Sequence, residues 1–258
     1  MEPILLRPGE GEIITDRAER TVRIIVSQPL LDMTWTRFEA GERGPDPHVH
    51  HEHTDSFYIV EGEIEFGLGP DGAELVRAPA GTVVAIPPNV VHTFGNESNA
   101  RAVYLNFHAP STGFADSLRA RRDGRTEDAS RWDSFDPPAD GGLPATNAIV
   151  CRAGEGERLE RQAGTTTILA ELTEISFFEL VLENGWPGIE AHAHDDHLDS
   201  FFVLAGEVDF VHSGRAQAGT LMAALPQVEH GIQSASGGTR LLNVHAPDAG
   251  FAESIRQR

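Results

Sequence analysis

Lysine is absent from this 258-residue chain: all 20 basic residues are arginine. A lysine Schiff base, a pyridoxal-phosphate anchor and a Walker-type phosphate loop are therefore excluded. Cysteine occurs once, at Cys151. That excludes an intrachain disulfide, a cysteine-rich zinc site and iron–sulfur ligation within the chain. It fits a reducing setting, and a cytoplasmic location is expected. No apolar run approaches the roughly 18 residues of a membrane span, and the first residues lack the apolar stretch of a signal peptide. Basic charge is in short supply, with 40 acidic residues against 20 basic ones and a formal charge of −20. Such a surface repels phosphate backbones and anionic lipids, so neither nucleic acid nor membrane is an expected partner. Tyrosine (2) and methionine (3) are scarce, whereas glycine (26) and proline (16) are plentiful. That balance favours turns and short strands over long helices.

What the chain does contain is a repeat. Residues 48–63 read HVHHEHTDSFYIVEGE and residues 192–207 read HAHDDHLDSFFVLAGE. AGTVVAIPPNVVH (80–92) matches AGTLMAALPQVEH (218–230), and NFHAPSTGFADSLR (106–119) matches NVHAPDAGFAESIR (243–256). Three blocks in one order mean a duplicated domain. Of 12 histidines, ten fall in matched pairs, 48/192, 50/194, 53/197, 92/230 and 108/245. Positions kept in both halves of a drifting duplication were held by fold or chemistry. The domains are expected at 1–122 and 147–258, with 123–146 as a linker rich in Asp, Gly, Pro and Arg. Trp132 and Phe135 are unusual in a free linker and predict an anchor that pins it to a domain surface.

Each copy reads as short strands between turn residues, an all-β pattern of sandwich or barrel type. Ser56–Phe66 and Ser200–Val211 each read as one strand. One short helix closes each copy, with Phe114 and Leu118, and Phe251 and Ile255, four apart on one face. Ser111 and Asp248 are the predicted N-caps. The stretch Gly67–Gly72 fits G-x-G-x-x-G, but another strand follows it and Pro70 sits inside it; a hairpin turn is expected, not a dinucleotide site.

His48 and His50 are two apart in an extended segment and so share a face; His192 and His194 repeat them. A turn follows, and then Asp55 or Asp199 opens the next strand. His92 and His230 each lie 11 residues after a glycine, Gly81 or Gly219. Three neutral nitrogen donors and a carboxylate per copy suit Fe, Mn, Ni, Cu or Zn. His53 and His197 are alternative fourth donors, and a role for the aspartates in holding a histidine is also open. His108 and His245 are expected to make structural hydrogen bonds.

This constellation resembles the cupin superfamily. The first family motif, His-x-His, a carboxylate and a glycine, corresponds to His48, His50, Asp55 and Gly62, and to His192, His194, Asp199 and Gly206. Both copies carry Asp where the family pattern has Glu. The second motif corresponds to Gly81, Pro87, His92 and Asn96, and to Gly219 and His230; Leu225 and Ser234 replace the Pro and Asn in the second copy. The family's motif-two glycine is Asn89 and Gln227 here. The resemblance implies two tandem jelly-roll β-barrels, a bicupin. It also implies one divalent first-row metal in each, held by His48, His50, His92 and Asp55 and by His192, His194, His230 and Asp199. Two-domain cupins with this ligand set look like flavonol-type dioxygenases. That implies oxidoreductase chemistry on a small phenolic, enediol or diketone-like molecule, with Asp55 or Asp199 as base or ligand. A non-catalytic metal and small-molecule binding or sensing bicupin, or a sugar or sugar-acid isomerase, are the alternatives. Phe57 and Ile59, with Phe201 and Val203, are expected to line apolar pockets. Strands apolar on both faces also imply tight pairing of the barrels or a homodimer. The first copy keeps more of the second motif and is expected to be the principal catalytic one.

Overall fold

The computed structural model describes residues 2–257. The chain forms two compact units, Gly11–Glu155 and Met1–Glu10 with Gly156–Arg258. These edges differ from the expected 1–122 and 147–258, because the ends of the two halves are exchanged. Ile4–Leu6 pairs with Leu221–Ala224 in the second unit, and Ile149–Cys151 pairs with Val83–Ile86 in the first. Both are three-residue strands. Such a strand has no register of its own to read in a sequence, and each is fixed by an edge that needs covering.

In the first unit a seven-stranded antiparallel sheet runs in the order Ile149–Cys151, Val83–Ile86, Thr54–Glu61, Ala102–Ala109, Leu31–Phe38, Arg20–Gln28, Glu12–Asp16. A three-stranded sheet, Glu74–Pro79, Glu63–Leu68 and His92–Gly95, completes the barrel. The second unit repeats this plan. Its seven strands are Ile4–Leu6, Leu221–Ala224, Leu198–Ala205, Thr239–Ala246, Ser176–Leu182, Gly164–Glu171 and Glu157–Arg161. Its smaller sheet is Ile189–His192, His230–Ala235, Glu207–Phe210 and Gly214–Gln217. The single strands expected over Ser56–Phe66 and Ser200–Val211 are each broken in two, at Gly62 (φ 73°) and Gly206 (φ 79°). At these corners the chain crosses from the large sheet to the small one. A Cβ at Gly62 would lie 2.3 Å from the Arg101 carbonyl, so only glycine fits.

The helices Phe114–Arg122 and Phe251–Arg256 close the two copies. Their N-caps are Gly113 and Gly250, not Ser111 and Asp248. The hydroxyl of Ser111 instead donates to buried Asp32, which also accepts the Ala115 amide. Pro70–Gly72 is a single turn between paired strands, as expected for a hairpin. No helix among the described residues is long and apolar enough to cross a membrane.

The core of the first barrel is built from Phe57, Ile59, Ile64, Phe66, Leu68, Val84 and Ile86, all essentially fully buried. Each such side chain contributes about 1.5–3 kcal/mol by leaving water. The second barrel is filled by Phe178, Leu180, Leu182, Phe201, Val203, Phe210, Met222 and Leu241.

Candidate metal centres

Two cross-strand contacts build the first centre. His48 and His92 exchange backbone hydrogen bonds of 3.0 and 2.9 Å, so their side chains emerge side by side with ring centroids 4.3 Å apart. Asp55 lies opposite His108 near the start of Thr54–Glu61. One donor atom from each of His48, His50, Asp55 and His92 falls within 4.8 Å of the others. Asp55 Oδ2 lies 3.2 Å from His92 Nε2 and 3.7 Å from His50 Nε2. The second centre is the same in outline: His192, His194, Asp199 and His230 lie within the same 4.8 Å. Asp199 Oδ2 is 3.1 Å from His230 Nε2 and 3.6 Å from His194 Nε2.

These residues fit a metal. First-row metal–nitrogen and metal–oxygen bonds of about 2.0–2.2 Å place donors roughly 3–4 Å apart, close to the spacing seen. His50 Nε2 is buried without a hydrogen-bond partner and is aimed at Asp55. The rings are held by their far nitrogens. His48 Nδ1–H donates to the Asp46 carbonyl at 3.0 Å and His92 Nδ1–H to the Val90 carbonyl at 3.1 Å. His192 and His230 do the same to Glu190 (2.8 Å) and Val228 (3.0 Å). Each bond fixes the tautomer that turns an Nε2 lone pair inward. Burial, helped by the neighbouring His92 and His50, lowers His48 to about 3, so it is neutral and able to ligate. Burial works to raise Asp55, but His108, His50 and His92 outweigh it and hold the carboxyl well below the usual range. Asp199 is held down in the same way by His245, His194 and His230 against its burial. For His230, burial acts downward but the bond to Asp199 prevails and raises it.

The alternative fourth donors point elsewhere. His53 Nδ1 faces Asp133 Oδ2 at 2.7 Å and its Nε2 faces His108 Nδ1 at 2.8 Å. Burial lowers His53 to about 4. His197 Nδ1 meets the exposed Asp196 at 3.1 Å. His108 makes hydrogen bonds at both nitrogens, with its Nε2 3.0 Å from Asn106 Oδ1 and 3.7 Å from Asp55 Oδ1. Asn106 in turn donates to Asp55 Oδ1 at 2.5 Å, and Asn243 to Asp199 Oδ1 at 2.6 Å. These asparagines were missed in the sequence, although the repeated Asn-x-His of both copies carried the signal. Asp133 was missed too. Its carboxylate accepts from the backbone of His51 and Glu52 as well as from His53. It stands outside the repeat and left no trace in it.

A cavity of about 230 Å³ opens beside the first centre. His48, Asp55, Asn106 and His108 form its polar end, and Phe38, Phe94, Tyr104, Phe114 and Trp132 its walls. Phe57 and Ile59 are not among the lining residues; they lie in the barrel core, where the Phe57 ring packs 4.8 Å from that of Phe94. Burial raises the Tyr104 phenol, keeping it neutral. The linker is part of this cavity. The Trp132 ring packs at a tilt, its centroid 5.1 Å from that of His50 and 5.2 Å from that of Phe114. Phe135 pins the segment through paired 3.0 Å backbone bonds to Val49, although its own ring is half exposed. Glu229 faces away from the second centre and meets His212 at 2.6 Å on the surface.

Fold and donor set together define a two-barrel protein of jelly-roll type with a four-residue His/Asp group in each barrel that could hold a metal. Residues 34–108 match the family model described as Cupin domain. The chain is 30% identical over 101 residues to quercetin 2,3-dioxygenase of Bacillus subtilis; the match spans 38% of this chain and only 28% of that relative. Among solved structures, a point mutant of oxalate decarboxylase from Bacillus subtilis superposes with a TM-score of 0.64 at 13% identity, covering 96% of this chain and 78% of the other. The putative glyoxylate-induced protein of Pseudomonas aeruginosa gives 0.65 at 14% identity, covering 93% and 87%. The formate complex of Lactobacillus farciminis oxalate decarboxylase gives 0.64 at 13%, covering 96% and 87%. Residues 34–108 thus carry a cupin domain, and the chain as a whole has the two-barrel fold of the structures it superposes on.

Proposed function

We propose that this bicupin is a metal-dependent oxidoreductase of dioxygenase type, acting in its first barrel on a small phenolic, enediol or diketone-like molecule. The observation that carries the reading is the cavity beside His48 and Asp55, which sets aromatic rings next to the donors, with Thr34, Thr36, Arg20 and Arg121 also on its lining. A ligand there would bury a flat apolar body against Phe38, Phe94 and Trp132 and place an acidic oxygen at the donors. His48, His50, His92 and Asp55 would hold one divalent first-row ion, and His192, His194, His230 and Asp199 a second. The bound ion supplies Lewis acidity and a route for electrons between substrate and O₂. Asp55, kept ionised, is both the fourth donor and the base placed to receive a substrate proton. Asn106 fixes which carboxylate oxygen faces the imidazoles. Tyr104 and the Phe94 ring exclude water from the reacting end. Asp199, whose barrel is packed with side chains, is assigned ligation alone.

The similarity to a quercetin dioxygenase over 101 residues supports this reading. The test is O₂ uptake by protein loaded with Fe, Mn, Ni, Cu or Zn over a panel of flavonols, catechols, enediols and 1,3-diketones, with oxalate and simple sugars included. Uptake with one class and cleavage of its ring or C–C bond is the expected result. CO₂ release from oxalate without net O₂ uptake, or ketose–aldose interconversion, would replace it with the decarboxylase or isomerase reading. Tight retention of an unchanged ligand with no turnover would make the protein a binding module.

A further inference from the structure

We infer that Asp133, a residue of the linker between the two repeats, is a positioning residue for the metal ligands of the first barrel. The inference rests on the ligand assignment above. Asp133 grips the turn between His50 and Asp55 from two sides. Its carboxylate accepts the His51 amide at 2.9 and 3.1 Å, the Glu52 amide at 2.7 Å and His53 Nδ1–H at 2.7 Å. Its carbonyl accepts Nδ1–H of His50, which presents the opposite nitrogen, buried and without a partner, to the centre. One residue thus sets both the ring orientation of a ligand and the path of the backbone that leads to Asp55. Asp133 is itself 6% exposed. Trp132, its ring packed at a tilt against His50, and Phe135, bridged to Val49, hold it there on either side.

The second barrel has no equivalent. Among the described residues nothing accepts from His194 Nδ1, and His197 leans on Asp196, whose side chain is 83% exposed. His197 Nε2 and His245 Nδ1 stay buried without partners, where the first barrel joins the matching atoms of His53 and His108 at 2.8 Å. The middle histidine of the donor set is therefore braced as His50 in one barrel and not as His194 in the other, although the flanking histidines are held by carbonyls in both. Bracing of this kind typically carries a factor of roughly 10–100 in metal affinity.

The test uses the full chain and Co(II) alone as the probe. In a background with the second centre disabled (His192→Ala with His194→Ala), Asp133→Ala and Asp133→Asn are titrated with Co(II), following the visible d–d bands. Weaker binding by about 10–100-fold, a changed band pattern, and a milder effect for Asn than for Ala are expected. The reciprocal background, His48→Ala with His50→Ala, carries the same Asp133 substitutions and reads the second centre. Unchanged affinity there shows that the fold is intact. If Asp133→Ala alters neither affinity nor bands, or weakens both centres alike, the positioning role is overturned. If Asp133→Ala does not fold, Asp133→Asn decides by the same criteria. A protein that still binds two Co(II) after His48→Ala with His50→Ala sinks the ligand assignment itself, independently of Asp133.

Discussion

On the strand next to the metal ligands, the first barrel presents Thr34 opposite Asn106 and Thr36 opposite Tyr104. At the same register positions the second barrel presents Phe178 opposite Asn243 and Leu180 opposite Leu241. Both asparagines bind the metal-site aspartate, so the correspondence is fixed by chemistry as well as by sheet register. The two threonines line the cavity of the first barrel. Phe178 and Leu241 are 0% exposed and belong to the second barrel's core. The donors recur in both copies, while at these register positions the first barrel carries threonines that line a cavity and the second carries buried apolar side chains. A metal with no room beside it is an anchor; a metal facing a cavity has coordination positions a substrate can reach.

The comparison breaks most sharply at the ligands themselves. His92→Ala is expected to remove turnover by about a thousandfold, since loss of the ion costs several kcal/mol of transition-state stabilisation. His230→Ala is expected to leave most of the turnover while halving the metal content. Steady-state rates alongside elemental analysis of both variants measure this. Turnover lost only in His230→Ala would reverse the assignment of roles.

Exchange of the wall residues comes next. Thr34→Phe in the first barrel should abolish substrate binding and leave the metal in place. Phe178→Thr in the second should open space beside His245, whose ring lies 5.5 Å from Phe178. Removing a fully buried phenylalanine costs about 3–5 kcal/mol, so the transition of the second unit should move down in calorimetry while that of the first stays. Unaltered substrate affinity in Thr34→Phe would show that the cavity is not where substrate sits.

Much of this was legible before any coordinates. The donor sets stood out because duplication supplies its own control; the short strands gave only a sandwich or barrel, and the jelly roll came with the resemblance carried by His48, His50, Asp55 and His92. The contents of the barrels were not legible. Whether Thr34 faces a cavity depends on which strand lies opposite it, and that pairing joins residues 72 apart in the chain (106 − 34). Gly62 and Gly206 ended strands that their apolar patterns would have continued. Asp133 reached the site from a segment whose composition reads as a tether. Its neighbours Trp132 and Phe135 marked an anchor, but aromatic residues say that a segment docks, not on what.

Acid should separate the barrels in the metal-free protein. Burial lowers His48 to about 3 and His53 to about 4, whereas both have ordinary values near 6.5 in the unfolded chain. Between those limits the unfolded state binds more protons, so stability of the first unit falls as pH drops from about 6.5 towards 4. The loss is about 1.4 kcal/mol per pH unit for each histidine at full slope. In the second unit His197 is also lowered, by burial first, but His230 is raised through Asp199. A raised histidine stabilises fully below its unfolded value and loses that contribution as pH rises through its folded one, so the two oppose each other. Thermal scans of metal-free protein from pH 7 to pH 4.5 should show the first unit's transition falling further. Parallel decline of both transitions would contradict it.

The smallest effect concerns the turn before the last ligand. Asn89 and Gln227 occupy the position where the family pattern has glycine, with φ of 71° and 68°. Asparagine visits this left-handed region readily, and Asn89 Oδ1 also accepts from His51 Nδ1–H at 2.7 Å. Glutamine has no such local bond; its side chain reaches only to exposed Asp195 at 3.0 Å. A side chain forced left-handed costs about 1–2 kcal/mol, and glycine gives back part of that relief through its freer unfolded chain. Gln227→Gly should therefore stabilise the second unit by up to about 1 kcal/mol, while Asn89→Gly should be neutral or slightly destabilising in the first. Both turns make the same backbone contact, from Gln227 N–H to the His194 carbonyl and from Asn89 N–H to the His50 carbonyl. Neither substitution removes it, so the metal content should not change. Denaturant midpoints of the two variants decide the point: a gain in the first barrel and none in the second would mean that the strain lies elsewhere than in the glutamine.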